Sequence, residues 1–239
     1  MINLLSKNIP KQLGDRIDFL LLAHMLSIIK NEKVNISNNI KSAQFLKDNL
    51  FSFGDVHISS KNEGKKIVSD NSFYLTISKQ IDIIPINKNI NLQTSIDLPS
   101  KYVTAQWDAA QLYRRVDRWD SERINNIESW YKHKGYKVIR IGGEGDYSKL
   151  EDIIPIISKA EYHIGADSGM AHVAKMLLPI QNIHLYVNIR NRYNDKRFPD
   201  NWNVPFMARE LFRRGAKMNF CETPTDEQVE YFKNVSFWE

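Results

Sequence analysis

Cysteine is nearly absent from this chain, which has one, Cys221, among 239 residues. A single cysteine excludes an internal disulfide framework and suits a reducing compartment. No uncharged apolar run reaches the roughly 18 residues that a membrane-spanning helix needs. The best run, Phe19 to Ile29, is shorter and contains His24. Residues 1–12 also lack the apolar segment and the small-residue cleavage site of a secretory signal. These absences predict a cytoplasmic protein, and they leave open peripheral contact at the inner face of a membrane.

The composition that remains is that of a globular protein with excess positive charge. Hydrophobic residues make up 42% and charged residues 26% of the chain, which argues against disorder. At about 100 to 200 residues per domain, this length predicts two small domains. The formal net charge of +5 favours a polyanionic partner, whether a phosphate-bearing donor, an anionic lipid headgroup or a nucleic acid.

Apolar and polar segments alternate along the chain as they do in α/β proteins. The first hundred residues contain a helix over Leu20 to Ile29 and then a thin series of shorter elements. These are strand Val34–Ile36, helix Ser42–Leu50, strand Val56–Ile58, a loop over Asn62–Asp70, and β-rich stretches Phe73–Ile77 and Ile81–Ile86. From Tyr102 the alternation becomes regular. The predicted elements there are strand Tyr102–Ala105, helix Ser121–His133, strand Lys137–Ile141, helix Tyr147–Lys159, strand Tyr162–Gly165, helix Ala171–Leu178 and strand Ile183–Val187.

Strands that alternate with helices at this spacing predict parallel sheets flanked by helices. We expect two Rossmann-like lobes, an N-terminal lobe of residues 1–98 and a C-terminal lobe of residues 99–239. Thr225 and Gln228 have the spacing of a capping box, which predicts a last helix to about Asn234. The sequence leaves open whether this helix packs back on the N-terminal lobe.

One strand-to-helix junction carries the residues with clear chemical use. Ligands of open parallel sheets bind at the carboxyl ends of the strands, where such junctions lie. The loop here supplies Asp167, Ser168 and Gly169, and the following helix would direct its free N–H groups and positive dipole end at an anion. A diphosphate fits, since Ser168 can donate to a phosphate oxygen and His172 faces the same space. An Asp or Ser before a helix is also a common N-cap, and this alternative stays open.

The ten residues from Gly165 to Ala174, GADSGMAHVA, resemble the donor-site signature of the heptosyltransferase-like glycosyltransferases, family nine of the glycosyltransferases. That family has the two-lobed GT-B fold, and its loop and helix start contact the diphosphate and sugar of the donor. The resemblance implies a donor-binding role for Asp167, Ser168, Gly169, Met170 and His172.

Three further segments follow in the family's order. Gly14-Asp15, ahead of an apolar helix, resembles the family's N-terminal turn, whose Asp is the proposed general base. Arg118-Trp119 resembles the family's pair of a basic residue followed by a Trp, in which the basic side chain contacts the donor phosphate. Gly142-Gly143 resembles the glycine pair that ends the next strand. The resemblance therefore implies a catalytic role for Asp15 and donor binding by the other two segments. An Asp that follows a Gly and precedes a helix is also commonly a cap, and for Asp15 this alternative stays open.

The chain departs from the family in length. Family members usually have an extra strand and loop after the glycine pair, where this chain has only Glu144 to Tyr147. This difference bears on the part of the donor site that would hold the base. Family members are also longer in the acceptor lobe, so we expect a shortened N-terminal lobe and a different acceptor.

These features predict a glycosyltransferase that moves a sugar, heptose-like by resemblance, from a nucleotide-diphosphate donor to a hydroxyl of an anionic acceptor such as a bacterial surface glycan, as in lipopolysaccharide biosynthesis. Asp15 would deprotonate the acceptor, and Arg118, Ser168, His172 and the helix start would stabilise the leaving diphosphate. We expect no cofactor beyond the nucleotide-sugar substrate. We also expect no metal ion, because the six histidines are scattered without ligand spacing.

Other functions remain open at this stage. A nucleotide-sugar epimerase would use a similar two-lobed fold. A non-catalytic nucleotide-sugar or nucleic-acid binding module would keep the donor loop without turnover. A base-modifying glycosyltransferase would bind nucleic acid through the basic segments Tyr113–Arg115 and Arg190–Arg197, which are otherwise solvated loops. Nucleic acid is not the favoured partner. The identity of the sugar, base and acceptor, the stereochemical outcome and the oligomeric state are left open.

Overall fold

The structure is a computed structural model, and it describes residues 1–6, 13–51, 53–59, 64–69, 95–108, 121–143, 145–166, 168–187 and 215–220. The chain divides into two units, whose main stretches are Met1–Ile90 and Asn91–Phe237. Each unit contains a parallel sheet with helices. The predicted α/β class, with two parallel sheets flanked by helices, is therefore confirmed.

The first unit has a four-stranded parallel sheet. Its elements are β1 Ile2–Ser6, α1 Leu13–Lys30, β2 Val34–Ser37, α2 Ala43–Leu50, β3 Val56–Ser59 and β4 Lys65–Ser69. The strand order is β3-β2-β1-β4, so β1 lies inside the sheet, with Leu4 beside Ile36 on one side and Ile67 on the other. Chain connections leave β1 toward β2 and return on its other side at β4. This reversal places the carboxyl end of β1 at a topological switch point.

Helix α1 supplies much of the core of this unit. Its middle residues, Phe19 to Ser27, are all buried, so the helix is covered on every side rather than amphipathic. His24 lies within this run, with its ring stacked on Phe51 at a centroid distance of 4.5 Å and its Nδ1 hydrogen-bonded to the carbonyl oxygen of Phe53. The loop after α2 therefore closes over α1 through aromatic packing.

The second unit has a five-stranded parallel sheet with strand order β6-β5-β7-β8-β9. Its elements are β5 Tyr102–Gln106, α3 Ser121–His133, β6 Lys137–Arg140, α4 Leu150–Ser158, β7 Tyr162–Gly165, α5 Gly169–Leu177, a 3-10 turn Ile180–Asn182, β8 Ile183–Val187 and β9 Lys217–Phe220. All five residues of β5 are buried. A strand buried on both faces is typical of a parallel sheet covered by helices on its two sides.

An aromatic cluster fills part of the core of this unit. Trp107, Tyr131 and Ile164 are buried together, and Tyr162 and Tyr186 pack against them. The cluster is not purely apolar, because the Tyr131 hydroxyl is hydrogen-bonded to Nδ1 of His184. Helix α4 adds four buried isoleucines and carries Pro155 within its length.

Two parts of the first unit differ from the prediction. The loop expected over residues 62–70 is wrong for Lys65–Ser69, because all five of these residues pair in register with β1. The two lysines of this segment are typical of a solvent-exposed loop, but Lys is also common on strands at the edge of a sheet. Strand β1 was not predicted either, nor was β9 in the second unit. The β-rich stretches Phe73–Ile77 and Ile81–Ile86 and the C-terminal helix lie outside the described residues.

No helix among the described residues combines the length and the apolar character needed to cross a bilayer.

A pH-dependent loss of stability is expected from the centre of the second sheet. His163 is fully buried, with Nδ1 3.1 Å from Thr104 Oγ1 and with no partner for Nε2 among the described residues. Burial lowers the pKa of His163 from its ordinary 6.5 to about 3. Between these two values the unfolded chain binds a proton that the folded chain does not, so stability falls as the pH drops below 6.5.

We expect this residue alone to lower the free energy of unfolding by about 1.4 kcal/mol per pH unit between about pH 6 and 4. Urea unfolding of the second unit, followed at several pH values, measures the slope. The His163→Asn variant keeps a polar side chain near Thr104 but cannot titrate in this range. The slope of its unfolding free energy against pH should be shallower by about 1.4 kcal/mol per pH unit, which corresponds to one proton. An unchanged slope would contradict the assignment of this pH dependence to His163.

Candidate functional site

The carboxyl edge of the second sheet has the geometry at which parallel sheets bind ligands. Strand β6, the next strand in the chain after β5, pairs with one side of β5, and β7 pairs with the other side of β5. The loops that leave β5 and β7 therefore diverge at this edge, which is the switch point of the sheet. Gln106 ends β5 and Gly165 ends β7, and the two residues are partners in register. The predicted donor loop begins directly after Gly165.

Gly165 brings the two strand ends into unusually close contact. Its φ is +151°, and a Cβ built on it would lie 2.0 Å from the carbonyl oxygen of Gln106. The N–H of Ala166 donates to the same carbonyl oxygen at 2.9 Å. Only glycine fits here, because any side chain would collide with the backbone of β5. The donor loop is thus fixed against β5 before it turns into α5.

Ser168 forms the N-cap of α5. Its Oγ accepts a hydrogen bond from the Met170 N–H at 3.2 Å and donates one to Gln106 Oε1. The side chain is buried, and its hydroxyl proton is directed toward Gln106. The capping alternative is therefore observed for Ser168. Among the described residues the N–H of Gly169 has no hydrogen-bond partner, and this amide lies at the positive end of α5.

The predicted glycine pair lies on the other side of Gln106. Gly142 has φ +99°, and its N–H donates to the Tyr147 carbonyl oxygen at 2.8 Å in a tight return of the chain. A Cβ on Gly142 would lie 3.0 Å from Cγ of Gln106, and one on Gly143 would lie 3.0 Å from Oδ2 of Asp108. The structure therefore brings the glycine pair and the α5 start to the same residue, Gln106, from two sides.

Sequence reasoning missed Gln106 and Asp108. Gln106 is buried and donates from Nε2 to Asp108 Oδ1 at 3.2 Å while its Oε1 accepts from Ser168. A chain of hydrogen bonds thus runs from the α5 cap through Gln106 to Asp108. One signal could have indicated both residues: they are polar side chains at the carboxyl end of a fully buried strand.

An ion pair between the buried Glu128 and the exposed Arg140 anchors Trp107, the residue between these two. The indole N–H of Trp107 donates to Glu128 Oε1 at 2.9 Å, and Arg140 Nε donates to the same oxygen at 2.8 Å. The hydrogen bond to Glu128 raises the pKa of Arg140. Trp107 also packs edge-on against Tyr186 with ring centroids 5.3 Å apart. Gln106 and Asp108 therefore flank an anchored residue.

The remaining predicted residues lie as follows. Met170 is partly exposed on the first turn of α5, and His172 is buried in the same helix. Asp15 is exposed in the first turn of α1, which starts at the switch point of the first sheet. It belongs to the first unit, whereas the glycine pair and Ser168 belong to the second. Arg118 and Asp167 lie outside the described residues, as do the basic segments Tyr113–Arg115 and Arg190–Arg197.

Within the part of the chain that the structure describes, no group of three or more His, Cys, Asp or Glu side chains is arranged as metal ligands are.

Comparison with known proteins identifies the fold. No protein-family model and no curated protein matches the chain. Solved structures do match. ADP-heptose lipopolysaccharide heptosyltransferase II of E. coli has a TM-score of 0.57 at 11% sequence identity, over 95% of this chain and 92% of that one. A family-nine glycosyltransferase of Veillonella parvula has a TM-score of 0.52 at 10% identity, over 97% of this chain and 90% of that one.

A third match is TibC, an iron-containing dodecameric heptosyltransferase of enterotoxigenic E. coli, in complex with ADP-D-beta-D-heptose. Its TM-score is 0.53 at 12% identity, over 97% of this chain and 72% of that one. The class of fold is thus the two-sheet, GT-B-like α/β architecture. Within that class the chain has the heptosyltransferase-like fold of the family-nine glycosyltransferases, which confirms the resemblance.

Proposed function

We propose that this protein is a glycosyltransferase that moves a sugar from a nucleoside-diphosphate donor to a hydroxyl group of an acceptor, such as a bacterial surface glycan. The observation that carries the proposal is the edge of the second sheet, where Gly165, Gly142 and Ser168 converge on Gln106 beside the start of α5. TibC, which shares the fold, binds an ADP-heptose, and this supports a heptose-like sugar on the donor.

The donor diphosphate would lie at the start of α5. The N–H of Gly169 and the dipole of this nine-residue helix attract an anion there. Asp167, Met170 and His172 belong to the same loop and helix and would contact the diphosphate and sugar. Gly142 and Gly143 leave the backbone bare near Gln106, so that a ligand can approach closely. Arg118 would add a cation for the phosphates.

The transfer itself needs a base and a stabilised leaving group. In the proposed reaction Asp15 takes the proton of the acceptor hydroxyl, whose oxygen attacks the anomeric carbon of the donor sugar. The bond from that carbon to the diphosphate oxygen breaks, and the nucleoside diphosphate leaves with the electron pair. The Gly169 amide and Arg118 would stabilise the negative charge that develops on it, without a metal ion.

Binding of nucleotides tests the donor site directly. A ligand that binds the folded chain at about 100 times its dissociation constant stabilises it by roughly 2.7 kcal/mol. We expect such stabilisation from at least one of ADP, UDP, GDP and CDP, and from the corresponding nucleotide sugar, in thermal unfolding experiments. If none of these nucleotides stabilises the protein, the proposed function is wrong.

The chain offers a matched pair of variants for the same experiment. Gly169 is the first residue of α5, a position where proline is well tolerated, and Ser168 before it is already extended with φ −152°. Gly169→Pro therefore removes the amide donor with little strain on the helix, whereas Gly169→Ala keeps the donor. We expect the Pro variant to bind nucleoside diphosphate about tenfold or more weakly than the Ala variant, because a charge-assisted hydrogen bond is lost. Equal affinities would exclude this amide from the site.

A further inference from the structure

We propose that Asp108 forms a subsite for a vicinal diol of the donor, with Gln106 as the residue that positions its carboxylate. The inference rests on the proposed function and adds a specificity-determining residue to the same edge of the sheet. The diol is a pair of neighbouring hydroxyl groups, and a nucleotide sugar carries such pairs on its ribose and on the transferred sugar.

One carboxylate oxygen of Asp108 has no hydrogen-bond partner among the described residues. Oδ1 accepts from Gln106 Nε2 at 3.2 Å, while Oδ2 accepts no hydrogen bond from any residue in the described ranges. The side chain is partly exposed, and within those ranges it makes no ion pair. An ionised carboxylate can accept about four hydrogen bonds, and the described residues use one of them.

Gly143 keeps the space in front of this oxygen open. A Cβ at Gly143 would lie 3.0 Å from Oδ2, closer than most Cβ contacts in proteins. The backbone of the glycine pair therefore borders the carboxylate without a side chain over it. A small polar group of a ligand can enter this position, whereas any larger residue at Gly143 would crowd it.

The position of Asp108 is set by the donor loop. Ser168 donates to Gln106 Oε1, and Gln106 donates to Asp108, so the amide of Gln106 is oriented by a partner at each end. The carboxylate is thus linked through two hydrogen bonds to the cap of α5, where the diphosphate is proposed to lie. A ligand held there would carry its diol-bearing groups within a few ångströms of its phosphates.

Charge decides which part of the donor faces Asp108. A carboxylate repels a diphosphate, and like charges at close range disfavour binding. Neutral hydroxyl groups instead donate to it, and hydrogen bonds to an ionised acceptor are roughly twice as strong as neutral ones. Two adjacent hydroxyls match the two oxygens of one carboxylate. Dinucleotide-binding folds use an acidic side chain toward a ribose hydroxyl in the same way.

The test compares ligands that differ by one group, on the unmodified protein and on Asp108→Asn. Dissociation constants are measured by calorimetry for ADP and UDP, for their 2′-deoxy analogues, and for ADP-heptose. If the ribose is the ligand, a nucleoside diphosphate should bind about tenfold more tightly than its 2′-deoxy analogue, and Asp108→Asn should remove this difference. If the transferred sugar is the ligand, the variant should instead remove the advantage of ADP-heptose over ADP.

Asp146→Asn is the matched control, because Asp146 is an exposed carboxylate in the turn after β6 that also contains Gly142 and Gly143. It should leave all differences between ligands unchanged, which separates a diol contact from a general change in charge. Differences that persist in Asp108→Asn overturn the inference, as does tighter binding of every ligand by that variant. Nucleotide binding that fails in the unmodified protein contradicts the proposed function instead. Urea midpoints of both variants verify that they are folded.

Discussion

The Asp15→Asn protein is expected to bind the nucleotide-sugar donor as tightly as the unmodified protein and to transfer the sugar about 10² to 10⁴ times more slowly. The amide is nearly isosteric with the carboxylate but cannot accept the acceptor's proton. Asp15 is exposed in the first turn of α1, so its replacement leaves the buried middle of the helix intact. The rate is measured as release of ADP from ADP-heptose, with a glycan acceptor and with water alone.

Asp18→Asn serves as the control for this variant, because it removes the same charge one turn further along α1. The Asp15 carboxylate lies in the first turn, where the helix dipole contributes about 0.3 to 1 kcal/mol to stability, whereas Asp18 lies beyond that turn. A base at Asp15 predicts that only Asp15→Asn loses rate. Equal losses in both variants, in proportion to their stability, would assign Asp15 a capping role. Donor binding without turnover in the unmodified protein would favour a non-catalytic nucleotide-sugar binding module.

The second large effect is expected at Gly165. Gly165→Ala should destabilise the second unit by about 2 to 6 kcal/mol, since overpacking costs about 1 to 3 kcal/mol and a strained backbone conformation costs a similar amount. This loss of stability is expected because the new Cβ would lie 2.0 Å from the Gln106 carbonyl oxygen. The backbone of β5 cannot move aside at this position, because the residue that carries this carbonyl, Gln106, is paired with Gly165 of β7. Chemical denaturation measures the loss.

Gly135→Ala isolates the steric part of that loss. Gly135 also has a positive φ, +84°, but its new Cβ would meet only the flexible end of Lys101, at 3.9 Å. We expect this variant to lose about 1 to 2 kcal/mol, the cost of a left-handed conformation for an L-residue. Similar losses at Gly135 and Gly165 would mean that the two strand ends are not in close contact.

Much of the second unit was predictable from local pattern. Helix α3 was predicted with its observed bounds, because Ser121 can begin it and Gly135 follows its end. Strands β1 and β4 were not predicted. Strand β1 is short, and its burial comes from its place between β2 and β4. Strand β4 begins with two lysines, and its pairing with β1 depends on residues about sixty positions away in the chain. Such tertiary pairing outweighs local composition.

The candidate site was predictable where a segment carries its own signal. Ser168 was marked by its place before a helix, and Gly142 and Gly143 by their place after a strand. The link between them was not predictable, because Ser168 and Gln106 are 62 residues apart and meet only through the adjacency of β5 and β7. The direction of the Ser168 hydroxyl proton likewise depends on that neighbour. The proximity of Asp108 to Gly143 also depends on the pairing of β5 with β6.

The order of the strands along the chain also bears on biosynthesis. Every described strand of the first sheet, β1 to β4, precedes every described strand of the second, β5 to β9. Neither sheet borrows a described strand from the other. As the polypeptide leaves the ribosome, the amino-terminal sheet can therefore assemble before the remainder is translated, and domains that emerge in sequence generally fold as separate units. The two halves of the molecule can thus mature one after the other.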